Sequence, residues 1–424
     1  MRKTVLLLLT LAAPLAAQES FSEFELFPSE EIVGQAPQAA SPEADKRSLG
    51  VSGEALSVMQ DIKFSSNSAG TFDSSFIGNL MLDARLKRGV KAFANVEAVY
   101  SPDTRSTEAE LREAFLDFNL DGKVYFRTGK QVLQWGRCYL WNPTDLVNAE
   151  KKPFTRKLGY RDGAYGLKAH MPFGAKYNIY AFLDTGNAAE DRDLSGALKF
   201  EFVAGRTEMA FSGWGARERH PVFGYDLSSR LGRFDLAAEV SASRRDNARY
   251  LRAAGGTLET YRKDARWPLR AAVNFGRGFR LGEFNDRLRL TAEYFHNANG
   301  YGREEFRDKA LYAFSGPAAA ALPAGTRAAY LAASGLYEPN YLSRNYGALF
   351  ATVSRFLITD MTLNLNYLRN LTDDSGIVSA SVSYKDINDF SAGLLVNSYV
   401  GPGYGEYTAP GARLLVQLTA GVSF

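Results

Sequence analysis

From about Ser52 to the end of the chain, the sequence is a train of segments of about ten residues in which apolar and polar residues alternate. The last segment, LLVQLTAGVSF, places Leu414, Val416 and Leu418 on one side and Gln417 and Thr419 on the other. MTLNLNYL, RLRLTAEYF, FDLAAEVSA and EAFLDFNL repeat the pattern, with ions or amides on the polar side. A period of two predicts β-strands with one apolar and one wet face.

The connections between these segments alternate between short and long. Eight short turns are predicted near Gly89, Gly122, Gly174, Gly205, Gly232, Asn285, Asp360 and Asn388. Nine longer connections fall at 65–75, 101–108, 135–162, 185–193, 216–220, 244–267, 299–342, 371–375 and 401–410. Seventeen connections predict 18 strands, with both ends of the chain on the side of the short turns. A count of 16 also remains open, because the stretches 203–215 and 220–231 alternate weakly.

These features predict an all-β fold, a transmembrane antiparallel β-barrel with short periplasmic turns and long extracellular loops. A tilted strand of about 9 to 11 residues spans a bilayer, which matches the length of the segments. Lipid offers no partner to an unpaired backbone amide, so the sheet must close on itself. A soluble β-sandwich or β-helix would also alternate, but sheets usually have about 2 to 10 strands.

The first 51 residues differ from the rest of the chain. Arg2 and Lys3, an apolar run from Val5 to about Leu15 and small residues up to Ala17 predict a signal peptide over residues 1–17. Residues 18–51 are acidic at first and then rich in Pro, Ala and Ser, which predicts a flexible periplasmic extension, with a short plug in the barrel as the alternative. Residues 52–424 form the predicted barrel, and no transmembrane helix is expected.

Composition argues against several other classes of protein. Cys138 is the one cysteine, so no internal disulfide can form, and no Cys/His cluster predicts a metal site. The net charge of +3 falls to +1 when Arg2 and Lys3 leave with the signal peptide, which gives no support to nucleic-acid binding. His170, His220 and His296 are scattered. We therefore expect neither an enzyme nor a bound cofactor, and no oligomeric state follows from the sequence.

Two motifs resemble those of known families. The ending LLVQLTAGVSF, with Phe424 last, resembles the signature by which the barrel assembly machinery recognises outer-membrane proteins. The segment GKQVLQWGRCYLWNPTDLVN, residues 129–148, is similar to a G-x-Q-x-x-x-W-G-x-x-x-x-x-N-P-x-D pattern of outer-membrane porin-like families. The strand count resembles that of alginate-export and substrate-specific porins. The resemblance implies a location in the cell outer membrane, contact with its lipid and small hydrophilic solutes as partners.

Polar residues on the inward face of the strands are the candidate pore lining. Exposed to lipid at mid-depth, an Arg or Lys would cost about 2 to 4 kcal/mol, so the lumen is the expected location. The predicted lining residues are Asp83, Arg85, Lys91, Glu97, Asp117, Arg127, Lys168, Glu239, Arg289 and Glu293.

The third long connection, residues 135–162, carries six basic and three acidic residues. If it folds inward, Arg137, Lys151, Lys152 and Arg156 form a basic constriction that favours anions. The alternative position is the outer rim, near head groups or solvent. Two roles are open for Trp135, Tyr139 and Trp141, an interfacial aromatic girdle and a track on which sugars stack, and for Trp135 the girdle is favoured.

The leading hypothesis is an outer-membrane channel that passes small hydrophilic solutes, anionic ones among them, by diffusion. A second hypothesis is an exporter of an anionic polysaccharide, with docking surfaces on the third connection and on residues 244–267, which hold seven basic and three acidic residues. A third is a structural or adhesive barrel occluded by residues 299–342. Uptake through a TonB-dependent receptor is disfavoured, because residues 18–51 are too few for a globular plug.

Overall fold

The computed structural model describes residues 49–64, 67–86, 89–133, 135–147, 163–186, 194–254, 257–304, 340–386, 389–408 and 411–424. Within these ranges, no helix is long and apolar enough to cross a membrane. The strands are β1 (Leu49–Phe64), β2 (Asn67–Arg85), β3 (Lys91–Ser101), β4 (Ser106–Leu120), β5 (Val124–Gln131), β6 (Ala164–Phe173), β7 (Tyr177–Asp184), β8 (Ser195–Ala204), β9 (Thr207–Ala216), β10 (Val222–Leu231), β11 (Phe234–Ser243), β12 (Tyr250–Ala254), β13 (Thr257–Tyr261), β14 (Leu269–Leu281), β15 (Phe284–Asn297), β16 (Asn345–Ser354), β17 (Met361–Asn370), β18 (Gly376–Lys385), β19 (Phe390–Val400) and β20 (Ala412–Ser423).

Eighteen of these strands form one closed antiparallel barrel. Strands that follow each other along the chain are hydrogen-bonded neighbours, except that β11 pairs with β14. The ring closes where β20 pairs with β1, from Glu54 opposite Ser423 to Phe64 opposite Ala412. Strands β12 and β13 form a separate hairpin inside the connection between β11 and β14. The predicted barrel of 18 strands is therefore confirmed.

Side-chain exposure follows the predicted alternation on most strands, whereas on β1 the apolar residues Leu56, Val58 and Ile62 are the buried, inward ones. On β15, Leu290 and Tyr294 are exposed on the outer surface, whereas Thr291 and Glu293 are buried on the inner side. Because successive side chains of a strand point to opposite faces, the outer surface is apolar and the inner surface polar. This is the arrangement that a membrane barrel requires.

Seven of the predicted short turns are present, at one end of the barrel, and Asn388, the centre of the eighth, lies outside the described residues between the paired strands β18 and β19. Glycines with positive φ occupy six of them, among them Gly122, Gly205 and Gly232. Glycine is favoured there because it adopts the left-handed conformation without a Cβ clash. The weakly alternating stretches form β9 and β10, which settles the count at 18 strands rather than 16.

The first hairpin differs from the prediction. Strand β1 begins at Leu49, three residues before the expected boundary at Ser52. The long connection expected at 65–75 is wrong, because β2 begins at Asn67 and pairs with β1 as far as Phe64 opposite Asn67. The segment SSNSAGTFDSS lacks an apolar face, so its sequence is typical of a loop. A hairpin that extends beyond the apolar band contacts water on both faces, so its strands pair without alternating apolar and polar residues.

The C-terminal residue completes the seam between β1 and β20. Phe424 and Gly53 exchange two backbone hydrogen bonds, each 2.9 Å from nitrogen to oxygen. A Cβ on Gly53 would lie 2.5 Å from Cζ of the Phe424 ring, so this position has room only for glycine. Phe424 itself is exposed on the outer surface. Its recognition by the barrel assembly machinery stays a prediction.

The two faces of β17 provide a test of the membrane assignment. We expect Leu365→Lys, at the centre of the outer face, to lower the free energy of unfolding in lipid vesicles by about 2 to 4 kcal/mol, because the ammonium is placed in hydrocarbon. The control is Asn366→Lys, whose side chain faces inward and keeps contact with water. Denaturant titration of the vesicle-embedded protein measures both changes, and equal effects would contradict the assignment.

Candidate functional site

The third long connection enters the barrel. Its described residues, 132–133 and 135–147, are called loop 3 here, and they contact inward-facing side chains of β7 to β11, β15 and β16. Thr144 lies so close to β10 that a Cβ on Gly224 would be 3.1 Å from Thr144 Cγ2. Of the two positions considered for this connection, the structure places this part inside the barrel rather than on the outer rim.

Two buried glutamates hold the backbone of loop 3. Glu239 on β11 accepts hydrogen bonds from the backbone N–H groups of Arg137, Cys138 and Thr144. Glu293 on β15 accepts them from the three residues 139–141, with nitrogen–oxygen distances of 2.6 to 3.1 Å. Five consecutive backbone amides therefore donate to two carboxylates. Charge-assisted hydrogen bonds are stronger than neutral ones, so this carboxylate pair fixes the path of the loop.

Glu239 and Glu293 were predicted to line the pore. Both do point inward, but they are only 2% and 4% exposed because loop 3 covers them. Alternation identifies the face to which a side chain points. Alternation does not predict that a segment more than ninety residues away along the chain folds over that face.

Arg137 was predicted to face solutes in a constriction, and the structure places it elsewhere. Its guanidinium forms ion pairs with Glu201 at 2.7 Å, Glu208 at 2.6 Å and Asp226, carboxylates from β8, β9 and β10, and its side chain is 7% exposed. Burial by itself lowers the pKa of Arg137, but the charges of Asp226 and Glu201 raise it by more, so its net pKa lies above the ordinary value. Arg137 is therefore a permanent cation that anchors the loop.

The tryptophans of loop 3 are buried. Trp135 packs in an apolar cluster with Leu146, Phe182 and Trp214, so the favoured girdle position is wrong. Trp141 stacks on Phe295 of β15 with ring centroids 5.7 Å apart. Large aromatic side chains supply most of the apolar area of such a contact, so both rings attach the loop to the wall.

The glycines of the porin-like motif have steric roles. Gly129 has φ of 122°, and a Cβ there would lie 2.1 Å from the carbonyl oxygen of Ala114 on β4. A Cβ on Gly136 would lie 2.2 Å from Oδ1 of Asn142, so the Gly and Asn of the motif pack directly on each other. The motif thus describes how a strand passes into an inward loop, and it carries no information about a solute.

Most of the other predicted lining residues form ion pairs across neighbouring strands. Lys168 on β6 lies directly opposite Arg127 on β5 in the strand pairing. Arg85 is exposed at the end of β2 near the short turns. The predicted residues Lys151, Lys152 and Arg156 lie outside the described residues. The ion pairs are Asp83 with Lys91 at 2.9 Å, Glu97 with Arg112 at 2.8 Å, Asp117 with Arg127 at 2.6 Å and Arg289 with Asp235 at 2.9 Å.

The middle of the opposite side of the inner wall, between Glu54 and Lys385 near the short turns and Arg413 near the long loops, is rich in hydroxyl and amide side chains. These side chains lie on β16 to β20 and on β1, and sequence reasoning missed the asymmetry because each strand was considered alone. Thr352 donates to Asn364 on the next strand, with a distance of 2.8 Å. The inward residues of this uncharged wall are Gln60, Thr352, Asn364, Asn366, Ser379, Ser381, Ser383, Asn397, Gln417 and Thr419.

A cavity of about 200 Å³ lies between loop 3 and the outer ends of the strands. We call it the outer vestibule. Its charged lining includes Asp145, Arg219, Asp246 and Arg270, so both signs face the same space. The guanidinium of Arg270 also lies 5.9 Å from the ring centroid of Tyr341. A mixed lining of this kind suits hydrophilic solutes.

A buried polar network joins loop 3 to three other outer connections. Glu406 accepts hydrogen bonds from the backbone of Asn340 at 2.9 Å and from the hydroxyl of Tyr346 at 2.7 Å. The Nε1 group of Trp141 donates to the carbonyl oxygen of Asn340 at 3.0 Å. Asp373 accepts a hydrogen bond from the backbone N–H of Glu406. Burial raises the pKa of Asp373 by more than this hydrogen bond lowers it. No pattern in the sequence indicated this network.

The three histidines remain apart, each with its own hydrogen bond. His170 lies 3.0 Å from Asn178 and stacks on Tyr180, and His296 lies 2.9 Å from Asn345. In the described ranges, no group of three or more His, Cys, Asp or Glu residues is placed to hold a metal ion.

Comparison with known proteins identifies structural relatives only. No family model matches the sequence, and no curated protein matches it. Acinetobacter baumannii OccAB4 superposes with a TM-score of 0.54 at 9% identity over 90% of this chain and 99% of that one. Pseudomonas aeruginosa OccK2 in complex with glucuronate superposes with a TM-score of 0.53 at 12% identity, over 89% of this chain and 98% of that one. OccK9 of the same organism superposes with a TM-score of 0.55 at 10% identity, over 89% of this chain and 98% of that one. At these identities the similarity establishes the fold.

The carboxylate pair that holds loop 3 is testable by hydrogen exchange. We expect Glu293→Gln to accelerate exchange of the amides of residues 139–141 roughly tenfold to hundredfold, because weakening a buried hydrogen-bonded carboxylate costs about 1 to 3 kcal/mol. Mass spectrometry of peptides from loop 3 measures the rates. Glu97→Gln, an inward carboxylate away from loop 3, serves as the control. Unchanged protection in Glu293→Gln would show that the loop is held by other contacts.

Cys138 provides a second test of the position of loop 3. Burial raises the pKa of its thiol, and the charges of Glu239 and Glu293 raise it further, so the thiolate is scarce. We expect no maleimide labelling of the folded protein at pH 8 and full labelling after denaturation. A Ser106→Cys variant in a Cys138→Ser background has an exposed thiol and provides the positive control. Rapid labelling of folded Cys138 would contradict the buried position.

Proposed function

We propose that this protein is an outer-membrane channel that passes small hydrophilic solutes by diffusion. The observation that supports it best is the construction of the barrel interior, which has polar inner walls and an inward loop held by Glu239 and Glu293. A loop fixed across the lumen narrows the passage and sets its selectivity. The same fold occurs in outer-membrane porins, which supports the proposal by analogy.

We further propose that the channel prefers anionic solutes. Arg127 and Lys168 are direct neighbours on β5 and β6, and Asp117 pairs with Arg127, so this part of the inner wall carries two cations beside one anion. The uncharged wall on the other side offers hydroxyl and amide partners to the hydroxyl groups of a solute. A small sugar acid combines both requirements, and the OccK2 structure contains glucuronate, a molecule of this class.

Outer-membrane location and assembly belong to the same proposal. The predicted signal peptide over residues 1–17 would direct export, and the apolar outer surface would contact lipid. The exposed Phe424 would be read by the barrel assembly machinery. Export of an anionic polysaccharide is less favoured, because loop 3 and the network around Glu406 tie several outer connections together. A narrow passage suits small solutes better than a polymer.

Planar bilayer recordings test the function and its selectivity separately. We expect stepwise conductance from the purified protein, with glucuronate shifting the reversal potential as a permeant anion. The double variant Lys168→Glu and Arg289→Glu should lower the anion-to-cation permeability ratio about fivefold, because each exchange reverses a lumen charge. Lys123→Glu, on an exposed short turn, is the control.

The possible outcomes are distinguishable. An absence of conductance steps would contradict the channel itself. Conductance steps with an unchanged ion preference in the double variant would contradict the role of Lys168 and Arg289 in anion selectivity. The proposal that the protein is a channel would be unaffected.

A further inference from the structure

The outer surface of β6 to β10 contains a groove that the channel function does not use. It has about 920 Å³ of open space and is lined by apolar residues. Much of the outer face carries large side chains, such as Leu290, Leu349 and Leu418, and a single row of small residues that includes Gly78 crosses β1 to β4. Here five outward positions hold only glycine or alanine, and they are Ala169, Ala181, Gly196, Gly213 and Gly215.

The strand register gives the shape of this groove. One row across the strands runs from Ala169 through Ala181, Leu198 and Gly213 to Phe223. The next row towards the long loops runs through Leu167, Leu183, Gly196 and Gly215. Leucines and Phe223 therefore form its walls. An aromatic cluster that includes Phe200, Phe211 and Tyr225 borders it on the side of the short turns.

The fold does not require the glycines of the groove. None of Gly196, Gly213 and Gly215 has a positive φ. A Cβ would meet nothing closer than 3.9 Å at Gly196 and 3.8 Å at Gly213, and nothing within 4 Å at Gly215. Glycine inside a strand weakens it, so a larger residue would be better for the sheet. The missing side chains leave space on this part of the outer surface.

The surroundings of the groove indicate its occupant. It lies at the end of the strands that carries the long loops, where an outer-membrane barrel meets the outer leaflet. Trp267 is exposed and contacts Phe223 at 6.2 Å between ring centroids, a position typical of the membrane interface. Arg217 is exposed and follows Gly215 by two positions. A cation in the turn at the long-loop end of an apolar groove matches a lipid with an anionic head group.

We propose that this groove binds one acyl chain of a phosphorylated outer-leaflet lipid of the lipid A type, with Arg217 contacting a phosphate of its head group. The inference rests on the outer surface alone and does not depend on the channel function. The chain fills the space above Gly196, Gly213 and Gly215 and packs against Leu183, Leu198 and Phe223. The guanidinium supplies a charge-assisted hydrogen bond to the phosphate.

Titration of the delipidated full-length protein in detergent with bisphosphorylated lipid A, followed by native mass spectrometry, tests this site. We expect one lipid to bind the wild type more tightly than its dephosphorylated form. Gly215→Leu should weaken binding about tenfold or more by filling the groove. Gly78→Leu is the matched control, since Gly78 is another outward glycine whose added Cβ would meet nothing within 4 Å.

Arg217→Gln is expected to weaken binding of the phosphorylated lipid about tenfold and to leave the dephosphorylated lipid unaffected. Arg206→Gln, on an exposed short turn at the other end of β9, is its control. Circular dichroism and heat-dependent gel mobility establish that each variant is folded. Equal lipid affinity in the wild type and Gly215→Leu would overturn the proposal. A wild-type dimer that Gly215→Leu dissociates would also overturn it, because a second copy of the chain would then occupy the groove.

Discussion

Closure of the backbone hydrogen-bond ladder is the constraint on which this structure depends. In lipid every strand must satisfy its N–H and C=O groups with its neighbours, so no edge can remain open. The pairing of β20 with β1 and the exchange between Phe424 and Gly53 complete the ring. Once the ring is closed, alternation divides the side chains between an apolar outer surface and a polar lumen. Every functional feature of the molecule is built on one of these two surfaces.

The interior depends on a second interaction, between carboxylates and the backbone of loop 3. A segment that leaves the wall and enters the lumen carries backbone amides that need partners. Glu239 and Glu293 provide acceptors for five consecutive amides, and Arg137 is held by three further carboxylates. Five acidic groups of the wall, Glu201, Glu208, Asp226, Glu239 and Glu293, thus fix the loop. Other wall carboxylates pair with basic residues of neighbouring strands.

Both surfaces of the barrel carry features that the closed ring alone does not require. In the lumen, the polar network around Glu406 and Asp373 holds the outer connections, so the shape of the passage depends on hydrogen bonds among segments remote in sequence. On the outer surface, small residues leave a groove where leucine or phenylalanine would be expected. In the groove the local composition departs from what the fold alone requires, and this departure marks a candidate binding surface.

The sequence by itself determined the fold class, the 18 strands, the short turns and the inward or outward direction of most strand residues. These follow from local rules, since a period of two and turn residues act within a few positions of each other. The first hairpin was misjudged at residues 65–75, because beyond the apolar band pairing no longer requires alternation. Only the tertiary structure decided that Glu239 and Glu293 lie beneath loop 3, that Arg137 is an anchor and that Trp135 is buried. Such contacts join residues up to about 150 positions apart, and no local pattern encodes which distant segment will cover a given face of the wall.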